Sequence, residues 1–244
     1  GAALVALLID LILIKNKPAD IGQIPDGSSD VAESMAKPGK KASKYIPYST
    51  KDDWTVKEAL TNSRCWLTLA AAIGLYIPYM MLISHGIACL GDHGIPASAA
   101  AFSISLVTAT SIVGRLLGGE LCNRMPARFV WAGSLVVLLM GSIFLMTATG
   151  TVGMVLYAVC TGIGFGASFV CMPVVFSSYY GAKIYSSLFG TLFPIITICS
   201  SISPTLAGYL FDASGSYTSG FIMIIAFNVV GIIASLLNTP PKKQ

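Results

Sequence analysis

Arg115 is a cation within a long apolar stretch, where a charged side chain is costly and usually functional. It precedes Asn123 by eight residues, which at the helical rise corresponds to a depth of about 12 Å. A guanidinium there can offer a carboxylate two parallel, charge-assisted hydrogen bonds, an arrangement that lysine cannot reproduce. The alternative is that the long side chain extends to the membrane surface and has no role beyond structure. We therefore take Arg115 as the first candidate for binding a small organic anion.

Small and polar residues share a helical stripe with Arg115, while bulky apolar residues lie opposite. The stripe contains Ala101, Thr108, Ser111, Gly119 and Cys122, with Ser105 at its margin, and the opposite face contains Phe102, Leu106, Val113 and Leu117. We expect the stripe to face the interior of a helix bundle or a cavity.

Membrane helices must position these residues. The chain has 244 residues, of which 55% are hydrophobic and 11% charged, and its mean hydropathy is +0.76, too apolar for an ordinary soluble domain. A helix crosses the hydrocarbon core with roughly 20 residues. Apolar runs predict six spans, near 65–88, 96–119, 129–148, 152–177, 186–211 and 220–238, and residues 1–14 are predicted to be the end of a truncated helix. The expected fold is an all-α membrane bundle.

The remaining segments are polar. Residues 15–64 contain nine basic and seven acidic residues and no run of spanning length, which predicts an aqueous loop. Near 55–62 we expect a short helix on the membrane surface, because Thr55 and Glu58 have the spacing of a capping box. Residues 239–244 form a polar tail.

Charge asymmetry predicts the orientation. Every Lys and Arg outside the long loop falls on the same side of the predicted membrane as that loop, while the opposite connections contain neither. Basic residues concentrate on the cytoplasmic side of membrane proteins, so we expect a multi-pass protein of the cell membrane with a cytoplasmic loop and C-terminus. The net charge of +4 then reflects topology in the lipid bilayer and not binding of nucleic acid.

The sequence after the second predicted span reads Gly119-Glu-Leu-Cys-Asn-Arg-Met-Pro-Ala-Arg128. It resembles the loop signature G-x-L-x-D-R-x-G-R-R of the major facilitator superfamily, although Asn123, Pro126 and Ala127 depart from it. The resemblance implies a gating loop that uses Gly119, Asn123, Arg124 and Arg128; the alternative is that both arginines only set topology. It also implies that this chain is the C-terminal half of a twelve-helix transporter, with the N-terminal six-helix half as its partner.

Further phrases resemble the oxalate/formate antiporter and monocarboxylate transporter branch of that superfamily. They are Asn16-Lys-Pro-Ala-Asp-Ile-Gly, Pro25-Asp-Gly and the stretch from Ala207 to Tyr217. In that branch, the arginine of a G-R-x-x-x-G-x-x-x-[DN] pattern in the eighth helix is implicated in binding carboxylate, and Arg115 occupies that place here. Oxalate carriers are expected to add a lysine in the eleventh helix, but 186–210 contains no Lys or Arg. The resemblance thus implies secondary transport of a lactate-, formate- or pyruvate-like monocarboxylate, by proton symport or anion exchange.

Five more residues are candidates for the substrate site. Tyr76, Tyr79 and His85 are polar groups within an apolar run, and the resemblance makes His85 a candidate near the outer mouth, although a lone histidine at a helix end is more often structural. Phe165 and Phe169 are one helical turn apart and can wall a pocket for a small acid, as aromatic residues do in the oxalate transporters. Packing against lipid is the alternative for both.

The run from Gly162 to Ala167 formally matches the dinucleotide fingerprint G-x-G-x-x-A. No strand is predicted before it and no acidic residue occurs between Glu120 and Asp212, so we reject a nucleotide site. Close helix packing through Gly162 and Gly166 is the preferred interpretation.

Nothing in the sequence indicates an enzyme. The six cysteines lack a C-x-x-C pair, which predicts neither a disulfide framework nor a metal site. We expect no cofactor and no catalytic residue. Two alternatives stay open: a major facilitator for another substrate class, such as a drug or a sugar, and a membrane scaffold or sensor that moves no solute.

Overall fold

The computed structural model describes residues 45–243, and in this range it contains seven helices and no strand. The helices are α1 (Val56–Thr61), α2 (Ser63–Asp92), α3 (Ala97–Cys122), α4 (Ala127–Met146), α5 (Gly150–Tyr180), α6 (Ala182–Ser214) and α7 (Thr218–Leu237). All except α1 are long and apolar enough to cross a membrane. The predicted all-α fold is confirmed. The truncated helix predicted at 1–14 and the loop up to residue 44 lie outside the described residues.

Several helices extend beyond the predicted spans. Helix α2 continues to Asp92, and Gly181 alone separates α5 from α6. Gly181 has φ +86°, a conformation that glycine adopts without steric cost. Hydropathy marks the part of a helix that lies in hydrocarbon, whereas the backbone hydrogen bonds continue into the polar ends, so a run of apolar residues underestimates helix length.

Helix α1 starts with a reciprocal cap. The Glu58 backbone N–H donates to Thr55 Oγ1 at 3.3 Å, and the Thr55 backbone N–H donates to Glu58 Oε2 at 2.7 Å. This backbone hydrogen bond lowers the pKa of the Glu58 carboxyl. Trp54, just before the cap, is buried and packs edge-on against Tyr180 with ring centroids 5.3 Å apart. The cap and this contact hold the chain at the start of α1, against the end of α5.

Helices α3 and α5 pack with their backbones close together. A Cβ atom built on Gly162 would collide with the Val107 carbonyl oxygen, and one on Gly166 with the Ser111 carbonyl oxygen. The α3 glycines repeat the pattern: a Cβ on Gly114 would collide with the Ile163 carbonyl oxygen, and one on Gly118 would lie 2.8 Å from the Ala167 Cα. Small residues at four-residue spacing allow such close approach in membranes.

Gly119 does not share this role. A Cβ on Gly119 would meet only a Val170 methyl group at 3.9 Å, which is ordinary van der Waals contact. The preceding residue, Gly118, makes the close approach to α5.

A proline in α2 is compensated by α7. Pro78 has no N–H to donate to the Gly74 carbonyl one turn earlier, and Asn228 Nδ2 donates to that oxygen at 3.1 Å. Gly74 also faces Gly231, since a Cβ on Gly74 would lie 2.6 Å from the Gly231 Cα. The buried α2–α7 contact thus combines close backbone packing with a replacement hydrogen bond.

Candidate functional site

The Arg115 side chain lies beside α5. Its Cζ is 4.9 Å from the centroid of the Phe169 ring, within the range of a cation–π interaction. The α3 and α5 backbones lie close together at this point, since a Cβ on Gly166 would lie 3.0 Å from the Arg115 backbone nitrogen. The side chain is exposed on the surface of the described bundle. Within residues 45–243, no carboxylate forms an ion pair with it.

Aromatic rings continue from Phe169 toward α2. The Phe169 and Phe165 ring centroids are 5.8 Å apart. Phe165 stacks on Tyr79 at 3.6 Å with an interplanar angle of 9°, and meets Tyr76 edge-on at 6.3 Å. The structure therefore brings five of the six predicted substrate-binding residues into one contiguous group, here called the Arg115 cluster: Arg115, Tyr76, Tyr79, Phe165 and Phe169.

Helix α6 extends this group with three residues that the sequence analysis missed. Tyr76 contacts Phe193 edge-on at 6.0 Å, and Phe193 stacks on Phe189 at 4.9 Å. Phe189 in turn lies 5.6 Å from the Tyr185 ring. The available signal was the four-residue spacing of these aromatics, which places them on one face of α6. Four helices thus contribute side chains to the region around Arg115.

The cluster contains two tyrosine hydroxyl groups, those of Tyr76 and Tyr79. The Tyr76 side chain is buried, and its hydroxyl has no hydrogen-bond partner among the described residues. Tyr79 is only partly buried. The region therefore combines one guanidinium, an apolar aromatic wall and phenol groups, which can bind an anion with a small apolar body.

His85, the sixth candidate, makes its contacts elsewhere. Its Nε2 is 3.0 Å from the Pro204 carbonyl oxygen on α6, and its ring lies 5.7 Å from that of Tyr217. None of the contacts found within residues 45–243 joins His85 to the Arg115 cluster. These contacts agree with the structural alternative for this histidine.

Residues of the loop signature interact with their surroundings at the α3–α4 connection. Arg124 Nη2 is 2.5 Å from Glu120 Oε1, and both side chains are exposed. Asn123 ends α3 as its C-cap residue. The Arg128 Cζ lies 4.5 Å from the Phe129 ring centroid, and the Arg128 carbonyl oxygen accepts a hydrogen bond from Ser235 Oγ at 2.9 Å. The connection is therefore joined to α7.

Comparisons with known proteins match this architecture. The sequence profile of the Major Facilitator Superfamily matches residues 1–204 and 67–244. Monocarboxylate transporter 13 of Bos taurus is 32% identical over 164 residues, which are 65% of this chain and 37% of that protein. Monocarboxylate transporter 7 of Homo sapiens is 26% identical over 236 residues, which are 93% of this chain and 43% of that protein. The chain thus spans less than half the length of these relatives.

The profile match covers more than half of the chain, and the described part supplies six helices of membrane-spanning length. Both observations indicate a multi-pass membrane protein of a transporter family, not an enzyme. The chain therefore belongs to the major facilitator superfamily and is similar to its monocarboxylate transporters.

Proposed function

We propose that the complete protein carries a small monocarboxylate across the cell membrane by alternating access, coupled to proton symport or anion exchange, and that Arg115 binds the carboxylate. The Arg115 cluster is the observation that carries this proposal. It joins a guanidinium without a carboxylate partner in residues 45–243 to aromatic side chains from α2 and α5. The relatives named monocarboxylate transporters support the same substrate class.

The charge balance of the cluster favours a monoanion. Arg115 is its only cation, and residues 186–210 of α6 contain no Lys or Arg. One guanidinium compensates one carboxylate, whereas the second charge of a dicarboxylate would enter an apolar region without a partner. The site therefore suits a monocarboxylate better than a dianion such as oxalate.

The second half of the site belongs to the proposed N-terminal six-helix partner. Helices α3 and α6 are the least buried of the six long helices. Helix α3 carries Arg115 of the cluster, and α6 carries Phe193, which contacts Tyr76 of the cluster. In major facilitator folds the substrate lies between two such halves, which rock against each other. The exposed sides of α3 and α6 are therefore the proposed contact with that partner and with the substrate.

The proposed orientation places the long loop and the C-terminus in the cytoplasm. Lys183 and Lys243 lie at the α1 end of the bundle, since they contact Asp53 and Glu58 respectively. The connections at the other end contain no Lys or Arg. Basic residues at one end only are typical of the cytoplasmic side. In this orientation, Arg124 and Arg128 of the α3–α4 connection serve as the gating loop.

Uptake by proteoliposomes tests the proposal. The complete protein is assayed with labelled lactate, formate, oxalate and a sugar, as wild type and as Arg115→Gln, Arg115→Lys and Lys183→Gln. We expect the wild type to take up the monocarboxylates. Uptake should fall at least tenfold in both Arg115 variants, because glutamine lacks the charge and lysine lacks the paired donors. Uptake should stay unchanged in Lys183→Gln, because the Lys183 side chain is exposed.

Other outcomes identify the alternatives. If only the sugar is taken up, or if carboxylate uptake is unchanged in Arg115→Gln, Arg115 has only a structural role. Carboxylate binding without uptake would indicate a scaffold or sensor.

A further inference from the structure

We propose that the Tyr76 hydroxyl is the second hydrogen-bond donor of the carboxylate site, so that α2 and α3 hold the anion together. This inference rests on the proposed function and adds to it a specific polar contact. Arg115 would supply the charge, and Tyr76 a neutral O–H directed at the bound carboxylate.

Burial of the Tyr76 hydroxyl is the first observation. The residue is 7% exposed, and its hydroxyl has no partner among the described residues. A buried polar group that has lost water and gained no hydrogen bond is costly. Such a group calls for an explanation, and a ligand that completes its hydrogen bonding is one.

Location separates Tyr76 from other buried groups of this kind. Six further buried side-chain atoms lack partners in the described range: Trp54 Nε1, Trp131 Nε1, Thr161 Oγ1, Tyr180 OH, Asn228 Oδ1 and Asn238 Oδ1. None of them belongs to the Arg115 cluster. Among these groups, only the Tyr76 hydroxyl belongs to a ring that is linked to Arg115, through its contact with Phe165 and the Phe165–Phe169 contact.

The ring of Tyr76 is held from two sides. It meets Phe165 of α5 edge-on at 6.3 Å and Phe193 of α6 edge-on at 6.0 Å. Edge-to-face contacts of this kind are favourable and restrict ring orientation. The hydroxyl is therefore positioned before the anion arrives, which reduces the entropy lost on binding.

A phenol suits this role because it donates a hydrogen bond without adding charge. A carboxylate has two oxygens with several acceptor positions, so it can accept from the guanidinium and the phenol together. A lysine in place of the phenol would add a second positive charge and favour a dianion. The pair of Arg115 and Tyr76 thus strengthens anion binding and keeps the site suited to a single negative charge.

The test uses Tyr76→Phe in the complete protein, with Tyr180→Phe as the matched control. Tyr180 is also a buried tyrosine whose hydroxyl lacks a partner in the described range, but its ring packs against Trp54 near α1. Two quantities are measured for each variant: KM for lactate and formate in proteoliposomes, and the thermal unfolding midpoint of the purified protein without substrate.

We expect KM to rise about tenfold in Tyr76→Phe, because the anion loses a charge-assisted hydrogen bond, and to stay unchanged in Tyr180→Phe. The substrate-free unfolding midpoint should stay equal or rise in both variants, since each loses a buried hydroxyl without a protein partner. A structural hydroxyl would give the opposite pattern, with a lower midpoint and an unchanged KM.

Three results would overturn the inference. An unchanged KM in Tyr76→Phe, with uptake still lost in Arg115→Gln, removes the role of Tyr76 and leaves the proposed function intact. A lower unfolding midpoint in Tyr76→Phe without substrate shows that the hydroxyl has a protein partner. Absence of carboxylate uptake by the wild type overturns the proposed function itself, and the inference with it.

Discussion

At the scale of single residues, the environment of Arg115 separates it from the other basic residues. Arg124 is exposed and paired with Glu120, and Lys183 is exposed beside Asp53. Arg115 contacts an aromatic ring and has no carboxylate partner in the described range. Arg128 also contacts a ring, but it lies in the first turn of α4, whereas Arg115 lies well inside α3. Exposed ion pairs contribute little to stability. An ionisable side chain within a membrane helix, in contrast, usually pairs with an opposite charge or marks a substrate pathway.

Phe169 should orient the Arg115 guanidinium. Replacing Phe169 by leucine keeps an apolar side chain but removes the ring that lies 4.9 Å from the Arg115 Cζ. A cation–π contact at an exposed site contributes about 0.5–1 kcal/mol, so KM for lactate should rise roughly two- to fivefold. Transport kinetics in proteoliposomes of the complete protein measure this change.

Phe129→Leu is the control for this prediction. Phe129 has the same contact with Arg128, at 4.5 Å, but lies at the α3–α4 connection. Its replacement should leave KM unchanged. An equal effect of both substitutions would mean that loss of an exposed ring, and not the contact with Arg115, alters transport.

At the scale of elements, glycines set the distance between α3 and α5. Gly114 and Gly118 on α3 meet α5, while Gly162 and Gly166 on α5 meet α3. Because both helices contribute pairs four residues apart, their backbones stay close over several turns. This packing places Arg115 next to the helical segment that carries Phe165 and Phe169.

Gly166→Ala should destabilise the protein and displace the site. The added methyl group would collide with the Ser111 carbonyl oxygen and lie 3.0 Å from the Arg115 nitrogen, and backbone atoms cannot yield as side chains do. Overpacking of this kind costs about 1–3 kcal/mol. A lower thermal unfolding midpoint and reduced lactate uptake by the complete protein are expected.

Gly133→Ala in α4 is the matched control, because a Cβ there has no heavy atom within 4 Å. Alanine favours the helical state over glycine by about 1 kcal/mol, so this variant should be equally or more stable. If Gly166→Ala behaves like Gly133→Ala, the close contact between α3 and α5 does not limit stability.

At the scale of the whole molecule, the end of α7 is held at the α1 end of the bundle. Arg64 Nη1 donates to the Leu237 carbonyl oxygen at 2.5 Å. Asn238 Nδ2 donates to Thr68 Oγ1 at 2.8 Å, and the Asn238 carbonyl oxygen accepts from the Tyr179 hydroxyl at 2.8 Å. The last helix thus ends against α2 and α5, on the side where the basic residues are concentrated.

Thiol labelling of the complete protein in cells tests the proposed orientation. Lys183→Cys at the α1 end should react with a membrane-impermeant maleimide only after the cells are opened. Ser216→Cys, in the exposed connection between α6 and α7, should react in intact cells. Wild-type protein provides the background from its native cysteines, and the reverse labelling pattern would place the loop and the C-terminus outside the cytoplasm.

The sequence by itself determined the class of fold, because crossing a membrane requires a long apolar helix and this requirement is visible locally. The same reasoning made Arg115 the first candidate for anion binding, since a cation within such a run is rare and costly. The sequence predicted the ends of the helices less accurately than their number. The junction at Gly181 depends on its backbone conformation and not on hydropathy.

Contacts between distant residues were decided only by the tertiary structure. Periodicity shows which face of a helix a residue occupies but not which neighbour that face meets. The stacking of Phe165 on Tyr79, the contact of His85 with Pro204 and the burial of the Tyr76 hydroxyl therefore appear only after the helices are packed. For the same reason, only the tertiary structure shows that Gly118, and not its neighbour Gly119, meets the α5 backbone closely.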